Sequence, residues 1–431
     1  MPTKERVSHA AAAQAGAADL RPARFHEAQE GDSVFQTASA SRDLAPKARS
    51  RSNRPAVLFI WDRFGPYHVD RCEAAARHFA SHYSIYGIEI ASFDDIYRWR
   101  KSAGGTAYTH VTLFPHRRRL SVNQVHCFLK LAWTCLRLRA RYVFACNYED
   151  PVIFSVSVLL RILRRPVVIM QDSKFDDKQR SIWWELVKYL CYTPYSGALA
   201  GSWRSASYLR FLGIRRERIF IGYDTVSVAR IVGLAGSPPA PDGIPHKDRH
   251  FTVIARFVSK KNLGMALEAY AAYLRAAQGP IRELHLCGSG ELEEELRAQC
   301  ARLQLSTVRF RGFLQERGIA RVLAASLALI LPSTEEQHGL VVNEAIAMGV
   351  PVLLSDNCGS RDLLVRSGVN GFVVEPDNVA GLSHFMSLLD RDEAEWRRLS
   401  LGAARFTEAA DTDNFTTAVE RALDSLARAI G

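Results

Sequence analysis

A chain of 431 residues exceeds the size at which one hydrophobic core usually stops growing, so two domains are expected. Its 48% apolar and 23% charged residues exclude a fibrous or largely disordered protein, and its longest strongly apolar stretch, 152–160, is far short of the roughly 18 residues a membrane-spanning helix needs. The formal charge of +11 is uneven: residues 1–250 hold 37 Lys and Arg against 22 Asp and Glu, residues 251–431 hold 19 against 23, and 101–225 alone hold 20 against 8, which is where an anionic partner would be drawn.

Residues 1–54 are rich in Ala, Ser and Arg without apolar periodicity and read as a disordered leader; charges stand where the apolar core of a signal peptide would be, so no signal peptide is expected. From Pro55 onward short β-branched runs alternate with amphipathic stretches, the pattern of β-α units feeding a parallel sheet. Strands are expected at 56–60, 85–90, 142–146, 167–170, 198–200 and 219–222, with helices over 121–140 and 181–192, giving a first Rossmann-like domain over 55–232. The Gly- and Pro-rich segment 233–249 reads as a linker. A second series of strands follows at 251–255, 283–287, 307–310, 327–331, 352–355 and 372–374, making a second Rossmann-like domain over 250–378, and 379–431 reads as helices that pack back toward the first domain. Two such domains leave a cleft in which the carboxyl ends of both sets of strands can face one ligand. Eight cysteines without a Cys-x-x-Cys pair suggest neither a zinc site nor a disulfide framework, and a reducing cytoplasm fits.

Four signals in the second half fall at strand ends. Arg256 and Lys261 follow the strand at 251–255, where a guanidinium and an ammonium suit a diphosphate; a solvated pair of surface cations is the alternative. Gly288, Ser289 and Gly290 join a strand to a helix, which allows close backbone approach to an anion or is simply a tight turn. The segment 336–344 places Glu336 in a loop and Glu344 within a helix starting near Leu340, about a sugar's length apart, with the amides from Gly339 aimed at phosphate. Without context, Glu336 would be a helix cap and Glu344 an ordinary helical acid. Gly349-Val350-Pro351 ends that helix and opens the next strand.

In order and spacing, Arg256 with Lys261, Gly288-Ser289-Gly290, RGFL at 311–314 with Phe313, LPSTEEQHGLVVNEAIAMGVPVLLS at 331–355 and GVNGFVV ending at Val374 resemble the donor domain of the retaining nucleotide-sugar glycosyltransferases of family 4. The resemblance implies an α/β protein of GT-B fold, two Rossmann-like parallel-sheet domains facing each other across a cleft. It implies a hexosyltransferase with a nucleotide-diphosphate sugar as co-substrate, no further cofactor and no metal. By the same resemblance Arg256 and Lys261 hold the diphosphate, Glu336 contacts the transferred sugar near its reacting carbon, Glu344 binds the ribose hydroxyls, and Gly288, Ser289, Gly290, Phe313, His338, Gly339, Leu340 and Val341 complete the donor site. His338 stands where many members have an aromatic residue, and UDP, GDP and ADP donors all remain open.

In the first half Gly65-Pro66-Tyr67-His68 follows the first strand; His68 is the candidate for assisting acceptor deprotonation, and a structural histidine at a helix start is the alternative. Asp172 and Lys174 follow the strand at 167–170, where many relatives carry a histidine; Asp172 could bond a sugar or the acceptor, or be a plain loop acid. The only Asp-x-Asp triplets, at 390–392 and 411–413, fall in the helical tail, so a metal-held diphosphate is not supported. Cations would instead steady the departing diphosphate, which helps deprotonate an acceptor hydroxyl on the same face of the sugar. Arg117, Arg118 and Arg119 precede a helical stripe of Val122, Val125, Leu129, Ala132 and Leu136, which can lie on an anionic inner leaflet or cover a sheet with a solvated basic edge. The first reading points to a lipid-linked polysaccharide or glycolipid acceptor, and a soluble small-molecule acceptor is its competitor. A basic nucleic-acid-binding protein is the alternative of another class, but no nucleic-acid-binding module accompanies the charge.

Overall fold

The computed structural model describes residues 54–93, 107–177 and 180–430. The leader expected over 1–54, Arg54 apart, and residues 101–106 and 178–179 of the basic stretch lie outside the described residues.

The first domain runs β1 (Ala56–Trp61), α1 (Pro66–His78), β2 (Ser84–Phe93), β3 (Thr109–Arg118), α2 (Gln124–Arg137), β4 (Ala140–Ala145), α3 (Pro151–Ile162), β5 (Val167–Gln171), α4 (Ile182–Tyr192), β6 (Gly197–Ala200), α5 (Trp203–Phe211) and β7 (Ile219–Ile221), after which α6 (Val228–Ala235) leads across. Its seven strands pair in parallel in the order β3-β2-β1-β4-β5-β6-β7. Strand residues point alternately to the two faces, so β1 is apolar throughout and serves two cores. Leu58 and Ile60 pack with α2, α3 and α5; Val57, Phe59 and Trp61 pack with α1 on the other side.

The second domain runs β8 (His250–Ile254), α7 (Leu263–Ala276), β9 (Leu284–Cys287), α8 (Glu293–Arg302), β10 (Val308–Gly312), α9 (Glu316–Ala324), β11 (Ser326–Leu331), α10 (Val341–Ala347), β12 (Val352–Ser355), α11 (Arg361–Leu364) and β13 (Gly371–Val374). Six parallel strands take the order β10-β9-β8-β11-β12-β13. Each sheet therefore reverses its strand order once, between β1 and β4 and between β8 and β11, and in open parallel sheets ligands settle outside the carboxyl ends of the strands at such reversals.

Four α-helices close the chain: α12 (Val379–Arg391), α13 (Glu393–Ala403), α14 (Thr407–Ala410) and α15 (Thr412–Ile430). They divide between the domains. Leu382, Met386, Trp396 and Leu399 of α12 and α13 belong to the second core, while Phe415, Ala418, Val419 and Ala422 of α15 cover the first sheet, with the Phe415 ring 5.4 Å from Phe59.

Three features differ from the sequence reading. Strand β3 was not anticipated, because it is an edge strand with Pro115 and an exposed basic end. The segment 233–249 joins the two sheets and is more firmly packed than its composition suggests: α6 runs to Ala235, the Ala240 N–H donates to the Met348 carbonyl (2.8 Å), and the buried Arg249 guanidinium donates to the carbonyls of Ala324 and Ser326 (3.0 Å each) while lying over the Trp396 ring. The stripe expected on α2 divides, with Val122 and Ala132 buried beside Cys127 and Leu131, and Val125, Leu129, Trp133 and Leu136 exposed.

Candidate functional site

A cavity of about 940 Å³ lies where the two strand-order reversals face each other. From the first domain it is lined by residues following β1 (61–68), β4 (146–150), β5 (172–173) and β7 (Tyr223 and Asp224), with Arg71 and Arg180. Lys260, Glu335, Glu336, Gln337 and Leu340 line it from the second domain. The walls are bridged by Gln337 Nε2 donating to Ser173 Oγ (2.9 Å) and Tyr67 Oη donating to Glu344 Oε1 (3.1 Å).

Helix α1 sets the first wall. Pro66 supplies the fixed φ favoured at a first helical position, and His68 takes the third, where its Nδ1 accepts the Gly65 N–H at 2.9 Å in the manner of a capping box. The ring lies against Trp61, with centroids 4.7 Å apart. Burial and the nearby Arg71 guanidinium push its pKa down to about 3, so His68 is neutral, and because Nδ1 accepts, the proton sits on Nε2. A neutral imidazole of such low basicity lines the cavity with Nε2–H as its donor.

The floor is acidic. Asp224 Oδ1 receives the Arg71 guanidinium at 3.3 Å, and its Oδ2 lies 3.7 Å from His338 Nδ1. The Asn343 amide is oriented by Nδ2 donating to the carbonyls of Asp224 and Ala410, so its Oδ1 accepts from His338 Nε2 at 3.1 Å and leaves Nδ1 as a lone pair facing Asp224. Among the described residues, Asp224 Oδ2 and His338 Nδ1 are consequently buried without a hydrogen-bond partner. Gly201 lets the acids meet: a Cβ there would stand 2.2 Å from Asp224 Oδ2 and 3.2 Å from Asp172 Cβ. Burial first, then the Asp224 charge, push Asp172 up to about 7. Burial raises Asp224 too, to about 6, but the Arg71 guanidinium offsets part of that, so Asp172 is the carboxyl pushed up further.

On the second wall Glu336 is gripped by Lys261 and receives the Ser333 hydroxyl at 3.3 Å. Gly339 carries φ +92°, and a Cβ on it would press on Leu331 and on the Glu336 side chain, so this glycine sets where the carboxylate points. Glu344 sits in the first turn of α10, 2% exposed and pushed up to about 7 mainly by burial, with Tyr67 covering it.

Of the residues singled out in the sequence, the cavity brings together Glu336, His68, Gly65, Asp172 and Leu340. Arg256 is half-buried on the loop after β8, and neither it nor Lys261 is among the described residues that line the cavity; Lys260 is. Gly288 and Gly290 pack under that loop, where Cβ atoms would strike the carbonyls of Ala255 and Phe257 at 1.8 and 2.4 Å, so with Ser289 they shape the loop carrying Arg256. Gly339, Val341, His338 and Glu344 lie behind the lining, and Phe313 is exposed outside it. Lys174 is corrected: its ammonium is fully buried against Asp177 Oδ1 (2.8 Å) and holds its own loop together instead of facing an acceptor. Tyr67, Arg71, Asp224, Arg180 and Lys260 were missed. Tyr67 lay within the Gly65–His68 motif and Lys260 beside Lys261, and Arg71 falls three residues after His68 and so on the same face of a helix; Asp224 and Arg180 left no trace.

Residues 239–405 match a family model. It is that of the glycosyl transferases group 1. The chain is 29% identical over 157 residues to the amylovoran biosynthesis glycosyltransferase AmsK of Erwinia amylovora, covering 35% of this chain and 38% of that protein. It is 36% identical over 123 residues to the D-inositol 3-phosphate glycosyltransferase of Streptomyces bingchenggensis, covering 28% and 27%. The chain thus spans well under half the length of these curated relatives. Among solved structures, Anabaena HepE in complex with UDP and glucose superposes with a TM-score of 0.64 at 18% identity, covering 86% of this chain and 100% of the other. That likeness shows the fold: two Rossmann-like parallel-sheet domains of the GT-B kind. Among the described residues no group of three His, Cys, Asp or Glu is disposed to hold a metal, and no helix is long and apolar enough to cross a membrane.

Proposed function

We infer that the chain is a retaining, metal-independent glycosyltransferase of family 4 that moves a hexose from a nucleotide-diphosphate sugar to a hydroxyl, and the observation that carries this is the cavity at both strand-order reversals within a chain whose residues 239–405 match the group 1 model. The diphosphate lies toward Arg256, Lys260 and Lys261, and the sugar reaches from there to Glu336. On arrival its phosphates compete with Glu336 for Lys261, which frees the Glu336 carboxylate to accept sugar hydroxyls. Glu344 takes the ribose hydroxyls once Tyr67 yields.

The bond from the anomeric carbon to the phosphate oxygen breaks, and a bond to the acceptor oxygen forms on the same face. The acceptor proton passes to the departing diphosphate. His68 donates Nε2–H to the sugar from the first wall, and Asp172, protonated near neutrality, can both donate to and accept from the acceptor. Incubation with radiolabelled UDP-, GDP- and ADP-hexoses and a lipid-linked acceptor pool tests the reading. An α-linked product from an α-configured donor is expected, whereas an inverted product would overturn retention.

We place the acceptor among lipid-linked polysaccharide or glycolipid intermediates at the cytoplasmic face of a membrane. The exposed Val125, Leu129, Trp133 and Leu136 of α2, in a segment 124–141 without an acidic residue, favour this over a soluble acceptor.

A further inference from the structure

Helix α4 is built inside out. Surface helices of soluble proteins turn their apolar stripe inward, but here the inward stripe is polar. Glu185 is 3% exposed and receives the Tyr208 hydroxyl at 2.6 Å and the Lys188 ammonium at 2.9 Å, with the Arg180 guanidinium at 3.7 Å, while Tyr192 donates to Gln171. The apolar residues point out: Trp183 is 75% exposed, Trp184 69% and Leu190 64%, and Ile182, Leu186 and Val187 are exposed beside them. Phe175 and Phe211, about half exposed with ring centroids 5.6 Å apart, continue the surface through Tyr208. The polar anchor fixes the helix to the body, so its exposure does not come from loose docking.

Charge decides what covers this surface. Between 180 and 218 stand seven Lys and Arg against the buried Glu185 and the exposed Glu217; Arg180 and Lys188 are bound to Glu185 and Arg204 to Asp176, which leaves Arg210, Arg215, Arg216 and Arg218 as a basic excess. At the carboxyl end of α4 a cavity of about 110 Å³ is lined by Tyr189, Tyr192, Arg215 and Arg218. A second copy of the chain would set these like charges against each other. Exposed tryptophans at the start of the helix and arginines beyond its carboxyl end instead suit the boundary of a bilayer with anionic headgroups, where rings lie at headgroup depth and guanidinium groups meet phosphate.

We propose that α4 is the membrane-docking element of this protein: Trp183, Trp184, Ile182, Leu186 and Leu190 enter the headgroup boundary of an anionic bilayer, and Arg215 and Arg218 receive a lipid phosphate beside them. Helix α2 packs on the same side of the first sheet and also carries exposed apolar residues. The proposal deepens the reading of a lipid-linked acceptor, because it rests on that reading for its purpose while resting on α4 for its location.

The test is co-sedimentation of the full chain with phosphatidylcholine vesicles with and without phosphatidylglycerol, for the wild type, the double variant W183E/W184E, and R215E/R218E. Wild-type binding confined to anionic vesicles is expected, weakened about tenfold or more in either variant and weakened by salt. Nucleoside-diphosphate binding, measured alongside, is expected to be unchanged in both variants, which shows that they fold and keeps this test separate from that of the transferase reading. Equal and negligible sedimentation with both vesicle types would overturn the proposal. So would a dimer in solution that W183E/W184E dissolves while vesicles are ignored, since that result assigns the face to a second copy.

Discussion

Lys261 and Glu336 neutralise each other at the rim of the cavity, and that pairing fixes what single substitutions do. Lys261→Ala leaves Glu336, among the described residues, with only the Ser333 hydroxyl and, in the proposed reaction, removes a cation from the departing diphosphate, so transfer should fall on the order of 100-fold while the chain still folds. Steady-state rates together with a thermal unfolding curve check both halves of that statement. Asp172 and Glu344 carry a pH dependence. Both are pushed up to about 7, so the folded chain binds protons that the unfolded chain has released above its usual carboxyl range of about 4. The stability they add is complete below that range and is lost as pH rises toward 7. Asp172→Asn should therefore flatten the fall of the melting temperature between about pH 5 and pH 7, with Glu344 and Asp224, the latter raised to about 6, responsible for a remaining slope; an unchanged slope would contradict a protonated Asp172. Glu336, Lys261, His68 and Asp172 were legible because each directly follows an apolar run that reads as a strand. Asp224, Arg71 and Tyr67 were not: they matter through contacts between segments about 150 to 280 residues apart, and no local pattern encodes these.

At the scale of elements, the loop between β11 and α10 depends on Gly339. Its left-handed φ and the press of a new Cβ on Leu331 and Glu336 predict that Gly339→Ala costs about 1–3 kcal/mol of stability and lowers transfer beyond that loss, by moving Glu336. Denaturant unfolding and kcat measured on the same preparation separate the two effects. Most strands could be read from sequence because a parallel sheet covered on both faces forces continuous apolar runs, as in β1, β5 and β11, each buried throughout. Strand β3 escaped because an edge needs no such run, and the packing of the segment 233–249 was not legible because Pro and Gly mark turns without saying what the turns pack against. The stripe expected on α2 was legible only in part. Helical periodicity identifies a face but not its direction, and α2 divides its apolar residues between core and solvent.

The whole molecule is arranged around contacts that span the cleft. Arg230 joins Asp70 of α1 (2.7 Å) to Glu316 of α9, Gln337 reaches Ser173, and Tyr67 covers Glu344. If Glu344 receives the ribose, Tyr67 is its competitor, and Tyr67→Phe should lower the donor KM by about fivefold, the worth of one hydrogen bond, with kcat little changed. A raised KM would instead place the Tyr67 hydroxyl on the donor itself. The most direct measurement is calorimetric titration of UDP, GDP and ADP into the full chain and into its Lys261→Ala variant. One of the three should bind the wild type one to one, and the variant about tenfold more weakly or worse. Binding of none of them, or equal affinity for both proteins, would contradict a donor held by the second domain.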